Sequence, residues 1–91
     1  MKKYSDIKEE TLQAQGFIST TVTKEESGYE NDYYYYSLDI GDICLMTNAH
    51  DEAAKDGWVV SIFDSMTNNV TNEEDLIALV GIIKRSSTKW L

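Results

Sequence analysis

Ninety-one residues, 42% of them hydrophobic and 26% charged, are enough for one compact domain and exclude a multi-domain enzyme with two cores. Sixteen acids against eight bases leave a formal charge of −8, which repels nucleic acid and anionic membrane and favours a basic partner or simple solubility. A single cysteine, Cys44, excludes an internal disulfide, and no run approaches the roughly 18 apolar residues of a membrane span.

Met1-Lys2-Lys3 runs into Tyr4 to Glu10 instead of an apolar signal core, so the expectation is a soluble, cytoplasmic protein. Tyr4 to Gln15 reads as a short helix, capped by Ser5, anchored by Ile7 and Leu12, and ended by Gly16 in a left-handed conformation. From Phe17 the period changes to two: Ile18, Thr20 and Val22 alternate with Ser19, Thr21 and Thr23, a β-branched strand. Lys24 to Asp32 is a polar, Gly-containing loop. Tyr33 to Ile40 alternates again, with Tyr34, Tyr36, Leu38 and Ile40 on one face and Tyr33, Tyr35, Ser37 and Asp39 on the other.

Gly41-Asp42 suits a two-residue hairpin turn that continues the sheet through Ile43 to Asn48. Asn48 to Gly57 is a polar loop or short helical turn, Trp58 to Asp64 a further strand, and Ser65 to Asn69 a turn or short edge strand. Thr71 and Glu74 have the spacing of a capping box, after which Leu76, Leu79, Val80 and Ile83 repeat at helical spacing up to Lys84-Arg85. The order α-β-β-β-β-α predicts an α+β fold: a small antiparallel four-stranded meander with a short N-terminal helix and a C-terminal helix packed on one sheet face. Residues 1–91 form a single domain, with 86–91 a tail that docks through Trp90-Leu91.

Catalytic constellations are nearly absent. His50 and Cys44 are the only residues of their kinds, and a nucleophile pair requires them within hydrogen-bond reach. Asn48, His50, Asp51, Glu52 and Asp56 crowd potential metal ligands into one stretch but match neither an EF-hand nor a zinc template. No phosphate-binding glycine motif occurs. No catalytic residue, metal or other cofactor is therefore assigned.

Two features remain. Residues 25–83 contain thirteen acids and one base, Lys55, so the negative charge is regional. Such a field steers encounter with a basic surface, and its carboxylates can occupy positions meant for phosphates. In addition, if Tyr34, Tyr36, Leu38 and Ile40 face the helix, Tyr33 and Tyr35 point away from it, together with either Cys44 and Met46 or Ile43 and Leu45. That outer face is suited to a partner or a second copy, unless the N-terminal helix or the Trp90 tail covers it.

Gly16-Phe17, Tyr33 to Leu38, Trp58 to Asp64 and Glu73 to Leu79 together resemble small open reading frames of bacteriophages and mobile elements. The resemblance implies a strand meander closed by a C-terminal helix, and a bacterial host cell in which small acidic proteins act as inhibitors, the anti-CRISPR proteins among them. The resulting expectation is a non-enzymatic inhibitor of a basic nucleic-acid-handling protein, such as a CRISPR effector, acting by carboxylate mimicry of phosphates. Its expected contacts are Glu25, Glu26, Glu30, Asp32, Asp51, Glu52 and Asp56, with Tyr33 and Tyr35 as aromatic anchors, and with no direct nucleic-acid or membrane binding. The alternatives are an immunity protein for a basic nuclease toxin and a self-associating structural or accessory protein, a homodimer through the outer sheet face.

Overall fold

A computed structural model describes residues 4–62 and 69–88. The fold is α+β, with five antiparallel strands in the order of the chain: β1 (Ile18–Val22), β2 (Tyr33–Ile40), β3 (Ile43–Thr47), β4 (Val60–Ile62) and β5 (Asn69–Val70). Four helices accompany them: α1 (Glu9–Ala14), α2 (Lys24–Ser27), α3 (His50–Asp56) and α4 (Glu73–Thr88). The sheet therefore has one strand more than the four predicted, and the two extra helices fall in the predicted loop 24–32 and in Asn48–Gly57, where a polar loop or a short helical turn is expected. No helix among the described residues is long and apolar enough to cross a membrane. The docking of Trp90-Leu91 and the residues 63–68 lie outside the described residues, while α4 runs on through 86–88, which the sequence assigns to a tail.

Both extra helices sit where short polar stretches conceal a local signal. Thr23 accepts the backbone N–H of Glu26 and the Glu26 carboxylate accepts that of Thr23, a capping box that turns Lys24–Ser27 into one helical turn closed by Gly28 at φ 80°. In α3 the N-cap is Ala49, which has no side-chain acceptor, so only Glu52 acts, accepting Ala49 N–H at 3.2 Å. Tertiary contact stabilises so short a helix more than propensity does: Ala53 is buried, and the His50 ring stacks on Tyr34 at 4.4 Å.

Two predicted caps move. Ser5 is buried and caps no helix; its hydroxyl donates to Trp58 O and accepts Ile7 N–H at 3.1 Å, and α1 begins only at Glu9. The extended stretch before α1 has its N–H groups engaged elsewhere, Ser5 on Asp56 O at 2.8 Å and Asp6 on Thr71 O at 3.0 Å. At α4 the cap is Asn72, one residue after Thr71: Asn72 Oδ1 accepts Asp75 N–H at 2.8 Å and Asn72 Nδ2 donates to Asp75 at 2.8 Å. Gly16 ends α1 as expected, at φ 98°, with Phe17 N–H on Leu12 O and Gly16 N–H on Gln13 O, the paired bonds of a Schellman motif.

Directly paired residues share a face, so the register assigns both sides of the sheet. Leu38 pairs with Leu45 and Leu45 with Ile62, on the helix side; Ser37 pairs with Met46 and Asp39 with Cys44, on the outer side. The choice left open by alternation is thus decided: Cys44 and Met46 join Tyr33 and Tyr35. Under the helices, Leu12, Phe17, Tyr36, Leu45, Val60 and Trp58 pack with Leu76, Val80 and Ile83 of α4. Since α1 contributes Leu12 to this core, it does not cover the outer face.

Glu73 fastens the N-terminal stretch to α4. It accepts the Thr11 hydroxyl and, at 3.1 Å, Lys8 N–H, while Glu73 N–H is itself held by Asp6 Oδ1 at 2.9 Å. The Thr11 hydroxyl first, and then Lys8 N–H, hold its carboxyl below the usual range. A depressed carboxylate stabilises the fold above its unfolded pKa, and that contribution disappears as pH falls through the folded one. Urea titrations above and below the ordinary carboxylate range are therefore expected to show a smaller acid loss for Glu73→Gln than for the wild type. Equal losses would remove Glu73 from that role.

Candidate functional site

The outer sheet face and the loop preceding β2 meet at a groove of about 440 Å³, lined by Val22, Tyr29, Tyr33, Tyr35, Met46 and Glu52. A second cleft shares Tyr29 and Tyr33 and is lined by Glu30, Asp32, His50 and Asp51. The two rings common to both lie 5.6 Å apart between centroids and are tilted by 44°. Tyr29 is 67% exposed, so its ring remains open to a ligand even with Tyr33 against it.

Local backbone contacts position the carboxylates. Asp32 Oδ1 accepts Lys24 N–H at 2.7 Å, Glu52 Oε1 accepts Ala49 N–H at 3.2 Å, and Asp51 Oδ1 accepts Glu52 N–H at 2.9 Å. Each of these groups is thus held through one oxygen. Their arrangement suits a cation with an apolar stem: an arginine lays its guanidinium on a tyrosine face and reaches a carboxylate with its N–H groups.

Of the predicted contact residues, the structure gathers Glu30, Asp32, Tyr33, Tyr35, Asp51 and Glu52 around the two clefts. Glu25 and Glu26 do not line them: both lie on α2, where Glu26 also accepts the Thr23 hydroxyl at 3.1 Å and so serves the helix cap. Asp56 is more than a turn beyond Asp51 along α3, and its carbonyl receives Ser5 N–H. Tyr29 is the residue that sequence reasoning missed. Its signal was present, an aromatic beside Glu30 in an otherwise polar loop, but alternation has no hold on an irregular segment.

The remaining chemical candidates separate. Cys44 lies on the outer face opposite Asp39, whose hydrogen bond first, then burial, pushes the thiol up and away from the reactive thiolate. His50 lies toward the helix side, its Nδ1 accepting Tyr34 N–H at 3.1 Å, so the two form no nucleophile pair. Asn48 uses its side chain to bind Gly57 O at 3.1 Å and Val59 N–H at 3.0 Å. Among the described residues, no three His, Cys, Asp or Glu side chains are grouped to hold a metal ion. The chain matches no protein-family model, no curated protein and no solved structure, so its site is read from its own geometry.

Proposed function

We propose that this chain is a non-enzymatic acidic binding protein of phage type that blocks a basic nucleic-acid-handling protein in the bacterial cytoplasm, such as a CRISPR effector, by setting carboxylates where the partner binds phosphates. One observation carries the reading: Glu30 and Asp32 from the loop before β2, and Asp51 and Glu52 from α3, converge on clefts floored by Tyr29 and Tyr33. Carboxylates beside the exposed Tyr29 ring and the half-buried Tyr33 ring match the charge and planar shape of arginine side chains. The regional excess of acid over residues 25–83 adds steering to the contact.

The test is capture from a bacterial lysate on the immobilised chain, release by a salt step, and assay of the captured protein's nucleic-acid binding with and without added chain. Each Glu or Asp to Lys change adds two charges, so the fourfold variant E30K/D32K/D51K/E52K brings the formal net charge from −8 to zero. It is expected to weaken association about a hundredfold at low salt, mainly through the association rate. The variant E10K/D42K/D56K/E74K reaches the same net charge away from the clefts and is expected to lose much less. Equal losses in the two variants would reduce the site to overall charge, and undiminished inhibition by the first would overturn the mimicry.

A further inference from the structure

A five-stranded sheet has two edges, and this chain treats them differently. β5 is two residues long, too short to template another strand. β1 has five residues, of which Ile18 to Thr21 are exposed and Val22 is half-buried. Proteins blunt an open edge with a charge, a proline, a bulge or a covering segment. β1 reads Ile-Ser-Thr-Thr-Val, without charge or proline, and its register with β2 runs unbroken from Ile18–Ser37 to Val22–Tyr33. Among the described residues, no helix buries either of its faces. Ile18, 70% exposed, is the most exposed large hydrophobic residue described.

We infer that β1 pairs antiparallel with β1 of a second copy about a two-fold axis at Thr20, joining two five-stranded sheets into one of ten strands. The occupant follows from the strand's own sequence. Centred on Thr20, all five residues find partners: Ile18 meets Val22 of the other copy, Ser19 meets Thr21, and Thr20 meets Thr20. The two Ile18–Val22 pairs then flank the Thr20–Thr20 pair on the outer face, and the Ser19–Thr21 pairs lie on the other, all favourable cross-strand combinations. Any other centre leaves strand residues unpaired and takes Val22 away from Ile18. Charge points the same way: β1 lies in the longest uncharged run of the chain, the thirteen residues from Thr11 to Thr23, so two copies of charge −8 meet here with least repulsion.

This pairing has a consequence for the clefts. Val22 lines the tyrosine groove, so Ile18 of the second copy comes to lie beside it, and the two grooves share one face of the ten-stranded sheet. The inference does not rest on the proposed function, and its salt dependence has the opposite sign. Screening relieves repulsion between like-charged copies and strengthens the dimer, whereas it weakens a steered complex with a basic partner.

Sedimentation of the full chain at low and roughly tenfold higher salt is expected to give a mass twice the 10.4 kDa of the chain, with more dimer at the higher salt. Thr20→Lys sets two ammonium groups against each other at the axis and is expected to sediment as a monomer that still unfolds cooperatively, at a transition lowered only by the loss of the dimer. A second readout fixes the register in a Cys44→Ser background. Directly opposed Cα atoms lie about 4.5–5.5 Å apart, so Thr20→Cys is expected to cross-link to itself on mild oxidation. Ile18→Cys is expected not to, because its counterpart is four residues along the strand pair, about 13 Å away. A chain that stays monomeric at both salts would overturn the inference, as would a dimer that survives Thr20→Lys without the Thr20→Cys cross-link.

Discussion

Gly57→Ala is expected to cost about 3–5 kcal/mol, a large share of the roughly 5–14 kcal/mol that a chain of this length has in total. Gly57 sits at φ 84° and ψ 172°, a region essentially reserved for glycine. Its own N–H ends α3 on Ala53 O at 2.8 Å, and its carbonyl accepts Asn48 Nδ2 at 3.1 Å, so the peptide on neither side is free to turn. Ser5 crosses directly above. An added Cβ would lie 3.0 Å from Ser5 C and 3.1 Å from Ser5 Cβ, and closer still to the Ser5 carbonyl oxygen. Backbone cannot step aside as a flexible side chain can, least of all when Ser5 N–H is held by Asp56 O and Ser5 Oγ donates to Trp58 O. Gly28 is the control for a positive φ alone: at φ 80° and ψ 5° it is in the left-handed helical region, nothing lies within 4 Å of its added Cβ, and Gly28→Ala is expected to cost only about 1 kcal/mol. Urea unfolding of both variants checks this, and equal costs would show that the crossing of Ser5 over Gly57 is not tight.

What the sequence reveals follows the range of each signal. Alternation in Tyr33–Ile40 is a property of the chain itself: it separates Tyr34 and Tyr36 from Tyr33 and Tyr35, and the fold decides that the first pair faces the helices. The helical repeat of Leu76, Leu79, Val80 and Ile83 is equally local: Leu79 packs half-buried against the core and the other three are buried. The capping signal before it is ambiguous because Thr71 and Asn72 can both cap; the Thr71 carbonyl accepts Asp6 N–H, and Asn72 takes the cap. Which side of β3 meets Tyr33 depends on pairing register, which one strand alone does not carry. The clefts are less legible still, since Glu30 and Glu52 become neighbours of the same tyrosine pair only when α3 docks on the end of the sheet. Ser5 shows the limit: it keeps a local bond from Ile7 N–H, but the two distant carbonyls of Asp56 and Trp58 hold it in an extended stretch, and the helix starts four residues later.

The same alternation separates stability from binding within the tyrosine run, and two substitutions one residue apart are expected to have opposite effects. Tyr36 is 5% exposed, meets Trp58 edge-on at 5.3 Å, and donates its hydroxyl to Glu9 at 2.7 Å while accepting Gln13 Nε2 at 3.0 Å. Tyr36→Ala removes the ring that joins α1, β2 and Trp58, for an expected loss of about 3–5 kcal/mol. Glu9 also accepts the Tyr34 hydroxyl at 3.0 Å, so the carboxylate secures two rings at once. Burial first, then the bond to Glu9, push the Tyr36 phenol up. A raised phenol contributes stability that is complete below its unfolded pKa and disappears as pH rises through the folded one, so Tyr36→Phe is expected to lose less stability in alkali than the wild type. Tyr35 is on the other face, paired with Thr20 of β1 and lining the groove. Tyr35→Ala is expected to cost about 1 kcal/mol or less in stability and to weaken capture of a basic partner about tenfold, as loss of an aromatic anchor does. Urea melts and the capture assay on the two variants check both halves. A Tyr35→Ala protein that captures its partner as well as the wild type would remove this ring from the binding surface, and the carboxylates would then have to act without it.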